Sequence, residues 1–232
     1  MSARVIIITG GFGALGSAVV TSALEAGREV AAVDVAPKPP EALAAAVGER
    51  ALLLPAADLG SAEGAKRALA AVAARFGGID ALVNIAGGFA YETVGEGSFE
   101  TWRRQFELNL GTAFHACRAA LPYLEKSEAG RIVNVGAGPA LKAGAGLGAY
   151  AASKAGVLRL TESLAEELKP KGVTVNAVLP SIIDTAGNRA SMPTADFSRW
   201  VAPRDLASVI LFLSSDAARA VTGALLPVTG RV

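Results

Sequence analysis

The 232-residue chain carries one cysteine, Cys117, and one histidine, His115. A lone cysteine excludes an intrachain disulfide. A lone histidine with so few soft ligands around it excludes the usual transition-metal sets, and no metal is expected. Neither sign of charge prevails: 22 Lys and Arg stand against 21 Asp and Glu. That balance gives no footprint for a nucleic-acid or membrane-surface partner. No apolar run reaches the ~18 residues that a membrane-spanning helix needs. Met1 leads almost directly into an apolar strand with no basic stretch and no cleavage site, so no leader is expected and the expected location is the cytoplasm. Repeats, linkers and a second compositional region are also missing. The length suits one domain over 1–232 with a full core.

What the chain does contain is alternation. Arg4 to Ile8 is a short, continuous β-branched run, which is how a strand buried on both faces of a parallel sheet reads. It ends in Thr9-Gly10-Gly11-Phe12-Gly13-Ala14-Leu15-Gly16 and then a helical segment to Ala26, closed by Gly27. Glycines between a strand and a helix let backbone approach a pyrophosphate, which rests on the free N–H groups of the helix N-terminus. The next strand, Glu29 to Val33, ends at Asp34. A carboxylate there can accept both hydroxyls of an adenosine ribose and repels a 2′-phosphate. The glycine turn contains no Lys or Arg, and Lys38 is the one cation close by, so NAD is expected over NADP.

Further strands are expected at Ala51 to Leu54, Ile79 to Val83, Arg131 to Val135, Val173 to Leu179 and Leu225 to Val228. Helices intervene at Ser61 to Phe76, at Glu100 to Leu124 with a break near Asn109-Leu110-Gly111, and at the segment from Tyr150 to about Leu168. Pro203 opens a last helix, as proline at the first helical position does. Between Pro180 and Trp200 no long helical pattern is visible. The alternation predicts a single-domain α/β Rossmann fold: a doubly wound, seven-stranded parallel sheet with helices on both faces. Ligands bind beyond the carboxyl ends of such strands. The glycine turn, Asp34, Asn84, Gly136 to Gly138 and Pro180 all follow strand ends and converge on that edge. Asp58 and Leu59 are placed to meet the edge of an adenine.

Tyr150 and Lys154 stand four apart at the start of a long helix, on one face. A nearby cation favours phenolate and lowers a tyrosine's pKa from ~10. The pair then serves as a proton donor and acceptor. In isolation Tyr-x-x-x-Lys also describes a surface tyrosine beside a solvated lysine, so its meaning depends on the nucleotide motifs upstream.

With those motifs, the chain resembles the short-chain dehydrogenase/reductase family along its whole length. The matches are Thr9-Gly10-x-x-x-Ala14-x-Gly16 (with Ala14 where glycine is common), Asp58, Asn84-x-Ala86-Gly87, Asn109, Tyr150-x-x-x-Lys154, Asn176 and Pro180-x-x-Ile183-x-Thr185. The resemblance implies a hydride transfer between a nicotinamide cofactor and a small molecule. Tyr150 would protonate the reduced substrate atom. Lys154 would hold the nicotinamide ribose and lower the tyrosine pKa, and Asn109 would hold a relay water. Thr185 and the backbone near Ile183 would fix the carboxamide. It also implies a homodimer or homotetramer, packed through the helices around His115 and Tyr150.

One position departs from the family. Its substrate-binding serine, thirteen residues before the tyrosine, is here Ala137, followed by Gly138. Losing one donor to a developing oxyanion typically costs ~10²–10³ in rate. The dihydropteridine reductase branch keeps Tyr and Lys without that serine, and several stretches resemble it. These are Gly10 to Ser17, Val33-Asp34-Val35, Ala86 to Phe89, Ala137 to Leu141, and the run from Asn188-Arg189 through Met192-Pro193 to Trp200. This likeness implies an electron-poor, conjugated substrate such as a quinonoid dihydropterin, with Phe89, Asn188, Met192 and Trp200 near it. Phe89 and Trp200 have plain packing as their alternative. An ordinary alcohol/ketone oxidoreductase and a non-catalytic NAD-binding sensor are the competing functions.

Overall fold

The computed structural model describes residues 4–232. The short stretch before Arg4, read above as carrying no leader, lies outside them. Seven strands form one sheet: β1 (Val5–Thr9), β2 (Glu29–Val33), β3 (Ala51–Leu54), β4 (Ala81–Asn84), β5 (Arg131–Val135), β6 (Thr174–Pro180) and β7 (Leu225–Val228). Their order is β3-β2-β1-β4-β5-β6-β7. Every pairing is parallel. The helices are α1 (Ala14–Glu25), α2 (Glu41–Ala46), α3 (Ala62–Phe76), α4 (Phe99–Phe106), α5 (Thr112–Leu124), α6 (Gly148–Leu168), α7 (Ala186–Ser191) and α8 (Pro203–Leu213). No helix among the described residues is long and apolar enough to cross a membrane.

Strand β1 explains why the sheet is covered twice. Its side chains alternate across the pleat, and both sets are apolar. Val5 and Ile7 enter one core with residues of α3, α5 and α6, such as Leu69, Ala116 and Leu168. Ile6 and Ile8 enter the other, with residues of α1 and α8, such as Val19, Val20, Leu206 and Ile210. Because β1 pairs with β2 on one side and β4 on the other, the winding direction reverses between β1 and β4. That reversal opens the crevice in which this class of sheet holds ligands.

The expected break near Asn109 takes a definite form. Glu107–Gly111 is a π-helical turn joining α4 to α5. Such a turn inserts one extra residue into the helix, a device frequent at functional sites. Between β6 and α8, where no long pattern was visible, the chain forms the six-residue α7 and a 3₁₀ turn at Phe197–Arg199.

A chain of polar side chains crosses the sheet core. Asn84 Nδ2 donates to Asn134 Oδ1 at 2.8 Å and to Cys117 Sγ at 3.2 Å. Asn134 Nδ2 donates to Thr161 Oγ1 at 2.8 Å, and Thr161 Oγ1 donates to the Val157 carbonyl. Burial pushes the Cys117 thiol up to about 12, so it is a bonding partner and no nucleophile. Removing one member leaves buried donors unpaired, at a cost of about 1–3 kcal/mol. Asn134→Ala is therefore expected to lower the free energy of unfolding by that margin, read as a lower denaturant midpoint. An unchanged midpoint would show that the network is energetically idle.

Candidate active site

The turn after β1 is built by close approach. Gly10 adopts φ +64°, a conformation that favours glycine. A Cβ on Gly16 would lie 2.0 Å from the Gly10 carbonyl oxygen. The turn therefore folds against the first residues of α1, leaving no room for a side chain; its own amides are bonded inward, Gly11 N–H to the Val33 carbonyl and Gly13 N–H to the Gly10 carbonyl, so an anion would meet the N-terminus of α1. Asp34, at the end of β2, locks this turn. Its Oδ2 accepts the Phe12 N–H and its Oδ1 the Ala36 N–H, each at 3.0 Å.

From this turn a cavity of about 800 Å³ runs along the strand ends. Gly10, Gly13, Ala14, Leu15, Gly16, Asp34, Asp58, Leu59, Ala86, Gly87 and Thr185 line it; Phe12, Pro180 and Ile183 are not in its lining. Asn84 does not reach it. Its side chain points into the sheet network, and the turn after β4 is held through Thr9, whose Oγ1 accepts the N–H groups of Ile85 and Ala86 at 3.1 Å each. The opposite wall comes from Arg104, Glu107, Leu108 and Thr112. None of these was singled out from sequence. Their spacing of four (104, 108, 112) around Asn109 marks one helix face, and that periodicity is the signal that could have found them.

The second half of the site gathers around Gly87. A Cβ there would meet Asn109 Oδ1 at 2.4 Å and Lys154 Nζ at 3.5 Å. Lys154, 6% exposed, donates from Nζ to the Val135 carbonyl at 2.8 Å. Asn109, buried in the π turn, accepts the Gly88 N–H on Oδ1 at 2.9 Å and donates from Nδ2 to Ser153 Oγ at 3.0 Å. Ser153 Oγ donates to the Tyr150 carbonyl. Tyr150 stands on the first turn of α6 with Phe89 edge-on at 5.0 Å.

The expected lowering of the tyrosine pKa by Lys154 is not met. Burial pushes the Tyr150 phenol up to about 12, and burial pulls Lys154 down to about 8. Desolvation is the cause of both shifts, and the ammonium is bonded to the Val135 carbonyl. At neutral pH the phenol is thus a protonated donor.

On the substrate side, Ala137 is buried beyond the end of β5, beside Gly138. Of the two expected aromatic contacts, Phe89 is 64% exposed and reaches Tyr150, while Trp200 is buried with its ring 4.8 Å from Phe197. Thr185 Oγ1 caps α7 by accepting the Asn188 N–H, and Asn188 Nδ2 donates to the Ile183 carbonyl at 2.8 Å. Thr185, Ile183 and Asn188 therefore form one braced corner after Pro180, with Met192 at the far end of α7.

Residues 4–196 match the family profile described as short chain dehydrogenase. The chain belongs to the short-chain dehydrogenase family. It is 32% identical to the 3-oxoacyl-(acyl-carrier-protein) reductase of Vibrio cholerae, over 99% of this chain and 97% of that protein. It is 34% identical to the D-threitol dehydrogenase of Mycolicibacterium smegmatis, over 99% and 93%. The crystal structure of a short-chain dehydrogenase/reductase, glucose/ribitol dehydrogenase, from Brucella melitensis superposes with a TM-score of 0.91 at 34% identity, covering 98% and 95% of the two chains. As a member of the short-chain dehydrogenase family the protein is an oxidoreductase working with NAD(P).

The Lys154 shift has a testable sign. The folded pKa near 8 lies below the ordinary 10.5. Between those values the unfolded chain binds more protons, so stability gained through this group rises with pH across that window and is absent below it. Unfolding of the wild type against Lys154→Met is expected to show a gap that is flat below pH 8. Between about 8 and 10.5 the gap should move in favour of the wild type. A gap independent of pH would contradict a buried, desolvated lysine.

Proposed function

We propose that this short-chain dehydrogenase reduces an activated, conjugated C=N or C=O group with NADH, and that a quinonoid dihydropterin is the best single substrate. The observation that carries this is the pairing of a protonated, half-buried Tyr150 with Ala137 at the position where a second donor would stand. Conjugation spreads the charge that follows hydride addition, so one acid suffices.

The cavity suits a dinucleotide: its glycine cradle excludes a Cβ, and Asp34 stands at the end of β2. Bound there, the cofactor supplies the hydride. Asp34 receives the adenosine ribose and repels a 2′-phosphate, with no Lys or Arg in the glycine turn to offset it. Lys154 holds the nicotinamide ribose, Thr185 and the Ile183 backbone orient the carboxamide, and Tyr150 delivers its proton to the substrate atom. Lys154 and Asn109 restore that proton through a path to solvent. Phe89, edge-on to Tyr150, offers a flat substrate an aromatic wall.

An ordinary alcohol/ketone dehydrogenase is the second reading, favoured by the names of the similar proteins, among them D-threitol dehydrogenase. Assembly follows the family as a homodimer or homotetramer. Phe99, Phe106 and Phe114 lie exposed along α4 and α5, where a second copy would cover them.

Tyr150→Phe is expected to abolish turnover and leave NADH binding intact; a fully active variant sinks the proposal. Ala137→Ser is expected to raise ketone turnover by about 10²–10³ and to leave the conjugated substrate little changed. Equal effects on both would favour the alcohol/ketone reading. Asp34→Ala is expected to narrow the NADH-over-NADPH preference in binding titrations.

A further inference from the structure

Asn109 has more acceptors than hydrogens. Its Nδ2 lies 3.0 Å from Ser153 Oγ, 3.1 Å from the Gly88 carbonyl and 3.1 Å from Gln105 Oε1. Two N–H bonds serve three partners. Its Oδ1 is committed to the Gly88 N–H, which fixes the orientation of the amide. Of the three acceptors, Gly88 belongs to the turn after β4 and Ser153 to α6. Gln105 alone comes from the same helix, in the last turn of α4 before the π turn.

Gln105 is only 4% exposed. A polar side chain buried on a helix costs stability unless it is bonded, and an apolar residue of the same size would pack there without that cost. The bond recorded for its side chain is the one to Asn109. It spans i to i+4 across the start of the bulge, where the regular helical ladder is interrupted. A π turn has no intrinsic preference to form, so a side-chain brace beside it decides how the inserted residue points.

We propose that Gln105 is a positioning residue for the proton path, holding the Asn109 amide so that Oδ1 stays on Gly88 and the group remains beside Lys154. This rests on the reading of Asn109 and Lys154 given under the proposed function. Without Gln105, the two hydrogens of Nδ2 fall to Ser153 and the Gly88 carbonyl, the amide is free to turn toward Ser153, and the bond from the Gly88 N–H weakens.

The test compares wild type, Gln105→Met and Gln105→Glu in the full chain. Methionine fills the space and cannot accept; glutamate still accepts. Two quantities are read: amide hydrogen exchange at Gly88, and NADH oxidation with quinonoid dihydropterin and with diacetyl. In Gln105→Met, Gly88 exchange is expected to speed up about tenfold and kcat to fall about tenfold, the worth of one hydrogen bond. The NADH dissociation constant and the thermal midpoint should hold. Gln105→Glu should restore both quantities. Unchanged Gly88 exchange in the methionine variant overturns the proposal, as does faster exchange with wild-type kcat. Should Gln105→Met fail to fold, Gln105→Leu carries the same comparison. A wild type inactive on both probes defeats the reading of the site itself, and the exchange result still judges the brace.

Discussion

A buried ammonium is the constraint on which the site depends. Lys154 is taken out of water by α6 and β5 and keeps one recorded partner, the Val135 carbonyl. A charge in that position is tolerated only where polar groups are brought to it. The fold brings them from three directions: the end of β5, the turn after β4 at Gly87, and the π turn that carries Asn109. Each lies at the carboxyl edge because the strands are all parallel. The same geometry that makes the sheet winding reverse between β1 and β4 therefore assembles the Lys154–Asn109 cluster, the proposed proton path, beside the cleft.

The cleft and the cluster around Lys154 differ in how they are held. The glycine turn is fixed by backbone contact so close that no side chain fits, and by one carboxylate that accepts two amides. The cluster around Lys154 is fixed by side chains: Ser153, Asn109 and the lysine itself. Backbone contact defines a shape that many sequences reproduce. Burial of those side chains sets their charge states, and it leaves a phenol that stays protonated at neutral pH and a lysine close to its own titration.

Much of this was legible in the sequence because it depends on local chemistry. The β-branched run of β1, the glycine turn, Asp34 and the four-residue spacing of Tyr150 and Lys154 each announce their structure directly. The break at Asn109 was visible as a weak point in a helix, though not as a π turn, since that form depends on the groups packed around it. The direction of the Tyr150 shift was misread for a related reason. Spacing puts phenol and ammonium on one face, but only packing reveals that both are desolvated and that Lys154 bonds elsewhere. The side chains of Asn84 and Trp200 turn into the protein, the first toward Asn134, far along the chain, and the second toward Phe197 in the 3₁₀ turn just before it, and neither direction is marked by a motif. The wall formed by Arg104, Leu108 and Thr112 went unread because its residue types carry no motif and only their period marks them.

The central claim is that a site with one acid and no hydroxyl at position 137 works on a conjugated substrate. The most direct measurement is NADH oxidation by the wild-type enzyme with chemically generated quinonoid dihydropterin, beside simple ketones and quinones, with the spontaneous reaction subtracted. Fast turnover of the pterin with little on simple ketones is the result this account predicts. Turnover of simple ketones with none on the pterin would contradict it, and would mean that another group does the work of the missing hydroxyl.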